Sequence, residues 1–226
     1  MPLWGTSDSD ESKPKNLTTA EKKEVYATNS GWVREAGSIL SGNGNTDADP
    51  EILCCVGGLA DSIGAADVTE VEWITTTADK SEGFTLSVRV RYNEEVTVTG
   101  SPTIAVTNGN EGSGSGRGPH NLLYASGSGT NRLTFELAIA AANAATNASD
   151  VLSIGANAIA LNSGFITEKA TETFVLEAGT NDGSADEFIE LEGSGAGRLT
   201  QELNTASTIT NSAAIGTAAG TITVSA

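Results

Sequence analysis

Residues that build reactive or metal-binding sites are scarce in this sequence. Its 226 residues include two cysteines, Cys54 and Cys55, and one histidine, His120. Adjacent cysteines rarely satisfy disulfide geometry, and a structural zinc site needs four ligands, mostly Cys or His. We therefore predict no disulfide framework and no zinc site. In the apolar segment ILCCVGGLA, both thiols are expected to be buried, reduced and packed as small hydrophobic groups.

Positive charge and long apolar runs are also in short supply. Lys and Arg number 12 against 29 Asp and Glu, which gives a formal net charge of −17. Nucleic acid and anionic membranes are bound by clustered Lys and Arg, so we predict neither as a partner. No stretch approaches the roughly 18 consecutive apolar residues of a membrane helix. The first residues, MPLWGTSDSDESKPK, lack the basic and apolar regions of a secretory signal, so we expect synthesis in a reducing cytoplasm.

Candidate catalytic features are few, and each has a simpler interpretation. His120 stands without a recognisable nucleophile, and the Gly-rich run 112–118 lacks the Lys-Ser/Thr ending of a phosphate-binding loop. Two carboxylate pairs have no neighbours that indicate a raised pKa. We therefore predict no enzyme activity, no catalytic residue and no cofactor. The carboxylate pairs are Glu94 with Glu95, and Glu190 with Glu192.

A calcium site is not expected either. Asp47 and Asp49 lie in the turn-rich segment SGNGNTDADPE. This segment lacks the glycine and the distal glutamate of an EF-hand loop, so a turn or helix-cap role is favoured.

The first third of the chain is predicted to be an N-terminal arm and anchoring segment, residues 1–66. Thr18 and Glu21 have the spacing of a capping box, and we predict a short helix from there through Val25 and Tyr26. The segment GWVREAGSIL is predicted to form a strand or short helix. Large aromatic side chains dominate protein interfaces when they fill a partner's pocket. Trp4 and Trp32 are therefore our candidate protein-interface residues.

From Asp67 onward the hydrophobic pattern has a period of two, which is typical of half-buried antiparallel strands. About seven short strands separated by Gly-rich turns predict a β-sandwich over residues 67–178. Residues 179–226 contain two further candidate strands, EFIELEG and GTITVSA, which either pack on the sandwich or serve oligomerisation. The alternation is clearest in FTLSVRVRY, with Phe84, Leu86, Val88, Val90 and Tyr92 predicted on the buried face and Thr85, Ser87, Arg89 and Arg91 on the other.

Three motifs in this region resemble the bacterial Ig-like repeats of large surface and adhesion proteins. The family pattern runs F-x-E-x-V-x-V-x-G-x-P, then Y-x-S-G-S-G-T-x-x-L-x-F, then I-x-L-N-G-G-x-I. The resemblance implies an Ig-like antiparallel β-sandwich that acts as a spacer or display module. The matching residues are Glu95, Val96, Val98, Gly100 and Pro102; Tyr124, Ser126, Gly127, Ser128, Gly129, Thr130, Leu133 and Phe135; and Leu161, Asn162 and Gly164.

The chain departs from these repeats in one loop. Many of them carry an Asp-rich loop after the L-x-F strand, which is a plausible calcium site. Here that region reads AAANAATNASD, with Asp150 as its sole carboxylate. Calcium takes six or more oxygen ligands, so the resemblance does not imply a metal site in this chain.

The N-terminal part, MPLWGTSDSDESKPKNLTTAEKK followed by GWVREAGSILSGNGNTDADPEIL, resembles virion structural proteins of the contractile-tailed phages that infect marine cyanobacteria. An adhesin-type module without an export signal fits a virion, which assembles in the host cytoplasm and is released by lysis. We therefore expect a non-enzymatic virion protein, a homo-oligomeric capsid decoration or cement protein bound to the major capsid protein or to other virion proteins. The alternative is a host- or carbohydrate-binding module on a tail fibre, baseplate or cell surface.

Overall fold

The computed structural model of the chain describes residues 13–14, 16–42, 44–63, 66–109, 119–141, 146–155 and 158–168, and the strands at 172–176, 199–203 and 222–225. The chain divides into two compact units, Met1–Glu168 with Thr208–Ala226, and Lys169–Ser207. This division differs from the predicted segments in that residues 208–226 are grouped with the N-terminal part of the chain. Trp4, Glu190, Glu192 and the predicted strand EFIELEG lie outside the described residues.

The described part of the chain is mainly β, as predicted, with short helices at α1 (Thr19–Lys23) and α2 (Leu59–Ser62) and a 3-10 turn at Ile39–Ser41. Its strands are β1 (Val25–Thr28), β2 (Gly31–Arg34), β3 (Glu51–Cys55), β4 (Val68–Trp73), β5 (Ala78–Asp79), β6 (Gly83–Thr99), β7 (Thr103–Asn108), β8 (His120–Ser126), β9 (Thr130–Ala140), β10 (Val151–Ser153), β11 (Ile159–Ala160), β12 (Phe165–Glu168), β13 (Glu172–Leu176), β14 (Leu199–Leu203) and β15 (Ile222–Ser225).

In the first unit, all of these strands belong to one connected mixed sheet. Its main path runs β3-β2-β1-β6-β9-β8-β7-β10-β15-β5, while β4 and β12 pair with β6, and β11 pairs with β7. In the second unit, β13 and β14 form an antiparallel pair.

The start of the sheet shows where local signals succeed and where they fail. The capping box is confirmed: the Thr18 side chain accepts from the Glu21 backbone N–H, and the Glu21 carboxylate accepts from the Thr18 N–H. The predicted extension of the helix through Val25 and Tyr26 is wrong, because both residues lie in β1, which pairs antiparallel with β2. Both side chains are buried. Burial of consecutive apolar residues in a sheet has overridden the helical start signal.

The strand β6 is longer than predicted, and its two ends pair with different strands. The predicted strand FTLSVRVRY and the segment EEVTVTG that follows it form one strand. Its first part pairs with β4 and β9, and residues 96–99 pair with β12. The predicted apolar face is confirmed at Leu86, Val88, Val90 and Tyr92, which are buried. The prediction of a half-buried strand is wrong at Ser87 and Arg91 of the other face, because both side chains are buried. The Ser87 hydroxyl donates to Glu136, and the Arg91 guanidinium pairs with Glu35.

Two hydrophobic cores lie in the first unit. The larger one, which includes Leu86, Phe135, Ile104 and Ile166, draws buried residues from β4 to β12 and none from a helix. The smaller one consists of Val25, Ala27, Trp32, Leu59 and Ile63. Described residues between Leu17 and Ile63 therefore form a core that is separate from the larger one.

The prediction of two buried thiols is wrong for Cys55. Both cysteines are free, but Cys54 is half-buried against the smaller core and Cys55 is exposed. Both lie in β3, the last strand on its end of the sheet path. Successive residues of a strand point to opposite faces, and Cys55 lies on the side that nothing in the described chain covers.

Candidate functional site: a buried carboxylate that joins three segments

The carboxylate of Glu35 is buried, with a side chain that is 3% exposed, and it contacts residues from two other segments of the chain. It follows directly after β2. Its Oε1 accepts hydrogen bonds from Arg91 Nε at 3.1 Å and from Asn131 Nδ2 at 2.8 Å. Its Oε2 accepts from Arg132 Nη1 at 3.1 Å and from Arg91 Nη2 at 3.5 Å. One carboxylate thus joins the N-terminal segment to β6 and β9.

The sequence positions Glu35 through the hairpin that precedes it. The loop between β1 and β2 has two residues, and Gly31, the first residue of β2, has a φ of 130°. A Cβ on Gly31 would lie 2.0 Å from the Cys54 backbone oxygen, so only glycine fits there. At the other end of β2, the Glu35 N–H donates to the Glu24 carbonyl at 2.8 Å. The backbone of Glu35 is therefore fixed by the end of α1 as well as by the hairpin.

Arg91 extends the network to a third strand. Its guanidinium, 8% exposed, also contacts Glu70 at 3.3 Å and Glu72 at 3.1 Å, both from β4. Burial lowers the pKa of Arg91, but Glu35 and Glu72 raise it more, so that the net shift is upward. Arg91 is charged under all ordinary conditions, and three carboxylates compensate its buried charge.

Lys13 brings the polar N-terminal arm to the same place. Its Nζ donates to the Lys22 carbonyl at 2.5 Å. Burial lowers the pKa of Lys13 to about 8; Glu35 and Glu70 oppose this shift, while Arg91 and Lys22 add to it. With a pKa of about 8, Lys13 changes its charge near neutral pH.

Three further ion pairs surround the buried network. Arg34 contacts Glu21 and Glu51, each at 3.3 Å, and Lys23 pairs with Glu70. They tie α1 and β3 to β2, and α1 to β4. These pairs are more exposed than the Glu35 contacts, so each contributes less to stability.

The candidate interface residue Trp32 is buried in the smaller core. Its indole Nε1 has no hydrogen-bond partner within the described chain. In this conformation Trp32 packs against its own chain and offers no surface to a partner. The interface role of Trp4 stays a prediction, because that residue lies outside the described ranges.

The other polar residues singled out from the sequence lie elsewhere. His120 begins β8, is buried, and its Nε2 lies 3.4 Å from Thr146 Oγ1. Asp150 is fully buried, and its carboxylate accepts from Asn108 Nδ2 and from the Asn147 N–H, each at 2.8 Å. These contacts hold the 146–150 loop against the sheet.

Asp47 and Asp49 are exposed, in a segment of turns. Among the residues that the structure describes, no group of three His, Cys, Asp or Glu side chains is placed to hold a metal ion.

Sequence reasoning missed Glu35, Asn131 and Arg132. The two β9 residues occupy the positions that the Ig-like pattern S-G-S-G-T-x-x-L leaves open. Glu35 follows a short strand, without periodicity that would mark it. A single signal was present: an arginine at an alternating position of an otherwise apolar strand needs a compensating acid if its face is covered.

No protein-family model, curated protein or solved structure matches this chain. None of the helices in the described ranges has the length and apolar character needed to cross a membrane.

Proposed function

We propose that the chain is a non-enzymatic structural protein of a phage virion, a capsid decoration or cement protein that binds the outer shell and stabilises it. The observation that carries this proposal is the Glu35 network. The buried charges of Glu35 and Arg91 connect the N-terminal segment to the sheet. Such a connection suits a protein that must hold one part of itself at a fixed position relative to another.

The finer fold belongs to the same proposal. We infer that the connected sheet of the first unit folds over itself as an Ig-like β-sandwich. Leu86 of β6 and Ile104 of β7 are buried in one core, to which no helix of the described residues contributes. A β-sheet buries a face only against another layer, and in a sandwich the strands of the same sheet would supply that layer. The antiparallel order β4-β6-β9-β8-β7 is compatible with such a fold.

The attachment to the shell is assigned to the N-terminal arm, with Trp4 as its aromatic anchor. A protein that binds only the assembled lattice stabilises it by mass action. Lys13, in the predicted arm, lies close enough to Glu35 and Glu70 for both carboxylates to raise its pKa. The acidic surface, with a net charge of −17, limits association between particles.

The test is mass spectrometry of purified particles, followed by addition of the chain to undecorated shells. We expect copies in the particle and a rise in the melting temperature of the shell, which is lost with Trp4→Ala. A matched control is Trp73→Phe, at a half-buried tryptophan of β4 that packs against the larger core, because this change keeps an aromatic ring. Particles that contain no copy of the chain would end this proposal.

A second candidate is a glycan-binding module, and one observation favours it. Phe165 of β12 is an aromatic side chain that is 51% exposed, and glycan sites use exposed aromatic faces. A glycan array distinguishes the two functions. Binding that is abolished by Phe165→Ala, but kept by Leu123→Ala at an exposed aliphatic residue of β8, would favour the glycan module.

A further inference from the structure

A second group of buried polar side chains, separate from the Glu35 network, lies around residues 146–150. Asp150 is fully buried, and Asn108 is 1% exposed. The Asp150 carboxylate accepts from Asn108 Nδ2 and from the Asn147 N–H, each at 2.8 Å. The Asp150 N–H in turn donates to the Asn147 carbonyl at 3.1 Å. Asp150 therefore holds Asn147 by both of its backbone groups.

The Asn147 side chain contacts a lysine from a distant part of the sequence. Lys80 Nζ lies 3.4 Å from Asn147 Oδ1, in a contact that is partly buried. Lys80 follows β5 directly, and Ala78 of β5 is buried in the larger core. The main chain beside each partner is thus held by burial or by hydrogen bonds. A lysine amine is a nucleophile as the free base, and the Asn147 amide carbon, Cγ, is one covalent bond from Oδ1.

We propose that Lys80 and Asn147 are a modification site, at which the chain forms an internal amide crosslink. The free amine of Lys80 attacks Asn147 Cγ, so that a bond forms between Nζ and Cγ and the bond between Cγ and Nδ2 breaks. One proton passes from Nζ to the departing nitrogen, which leaves as ammonia. The reaction exchanges one amide for another and needs no oxidant, reductant or cofactor. Asp150 is a positioning residue, because it acts by holding the backbone of Asn147.

Proximity is the advantage that the fold supplies. An ordinary amine does not attack an unactivated amide at a useful rate, but groups held together within a molecule reach effective concentrations of about 10⁵–10⁸ M. The new bond would join residues on either side of β6, β7, β8 and β9, which contribute Leu86 and Phe135 to the larger core. A covalent link across this region stabilises the fold by restricting the unfolded chain. The inference goes beyond the virion proposal and does not depend on it.

Intact-mass spectrometry of the full chain tests the proposal. The folded protein is measured after purification and after incubation at about pH 9, where more lysine is in the free-base form than at neutral pH. We expect a mass below that of the sequence by one ammonia, and a proteolytic peptide pair joined through Lys80 and Asn147. Lys80→Arg keeps a cation beside the amide but cannot attack it, because a guanidinium stays protonated, so this variant should keep the full mass. The control Lys23→Arg, at a lysine that pairs with Glu70, should still lose ammonia.

The role of Asp150 is measured by the rate of ammonia loss. Asp150→Ala should slow it on the order of tenfold or more, since a misplacement of about 1 Å can cost about 10²-fold in rate. Asp150→Asn, which keeps an oxygen that can accept from the Asn147 N–H, should restore most of the rate. A wild-type chain that keeps its full mass after incubation would overturn the proposal. Ammonia loss that persists in Lys80→Arg would overturn it as well, because that loss would come from a succinimide at another asparagine.

Discussion

Replacing Glu35 by alanine is expected to lower the free energy of unfolding by about 3 kcal/mol. Removing one partner of a buried ion pair costs about 3–5 kcal/mol, because the other charge remains buried without compensation. The lower end applies here. Arg91 keeps its contacts with Glu70 and Glu72, and Arg132, whose side chain is 30% exposed, can turn to water.

Urea denaturation, followed by tryptophan fluorescence, measures this cost. The matched control is Glu51→Ala, which also removes a carboxylate paired with an arginine of the same region. Glu51 lies 3.3 Å from Arg34, but its side chain is 58% exposed. Exposed pairs are worth about 0.2–1 kcal/mol, so the control should cost less than Glu35→Ala by about 2 kcal/mol. Equal costs for the two variants would refute the assignment of Glu35 as the central brace.

A double-mutant cycle with Arg91→Met separates the pair from its surroundings. Replacing both partners of a buried pair by apolar groups is often neutral. Glu35→Leu with Arg91→Met should therefore cost less than the sum of the single changes, with a coupling of about 1–3 kcal/mol. Additive costs would show that Glu35 and Arg91 do not stabilise one another. Hydrogen exchange at the amides of β1 and β2 would report whether the loss opens the smaller core first.

Three further changes test separate features. Gly127→Ala should lower the free energy of unfolding by about 2 kcal/mol or more in a thermal melt, because a Cβ there would lie 2.0 Å from the Arg132 carbonyl at a φ of 112°. The control is Gly129→Ala, at a φ of 83° with open space around it, which should cost about half as much. Equal costs would contradict the clash. Ser163→Gly should stabilise by about 0.5–1 kcal/mol, because Ser163 has a φ of 64°, which favours glycine; no gain in urea titrations would contradict the strain. The pKa of Lys13 is about 8 in the folded chain against 10.5 for a free lysine, so the unfolded state binds more protons between these values and stability rises with pH there. Lys13→Met should remove that rise in urea titrations at pH 8 and 9.5, and an unchanged slope would contradict the burial of Lys13.

Local signals predicted local structure. The Thr18–Glu21 capping box depends on residues three apart, so its two hydrogen bonds are fixed by the sequence around them. The predicted end of that helix was wrong, because the conformation of Val25 and Tyr26 depends on pairing with β2 and on burial. The apolar face of β6 was also predicted from residues close in sequence, because side chains alternate between the two faces of a strand whatever its neighbours are.

The candidate site could not be predicted, since its members come from three distant segments. Glu35 is separated by more than fifty residues from Arg91 and by almost one hundred from Arg132. Whether the polar face of β6 meets water depends on what covers it, and no pattern in FTLSVRVRY contains that information. The turn between β8 and β9 likewise makes contacts that its own sequence does not indicate. Its Ser128 hydroxyl accepts from the Val98 N–H at 2.9 Å, and the Gly129 N–H donates to the Val96 carbonyl at 2.8 Å.

These two contacts with β6 fix the position of the turn between β8 and β9. The pairing of β6 with β9 shifts register between Arg91 and Val96, and the turn binds β6 just beyond that shift. Asn131 and Arg132 are therefore held in place next to the turn, where both donate to Glu35. A buried ion pair adds little net stability compared with an apolar pair of the same shape, so its value lies in geometry. The Glu35 network fixes the position of the N-terminal segment against β6 and β9.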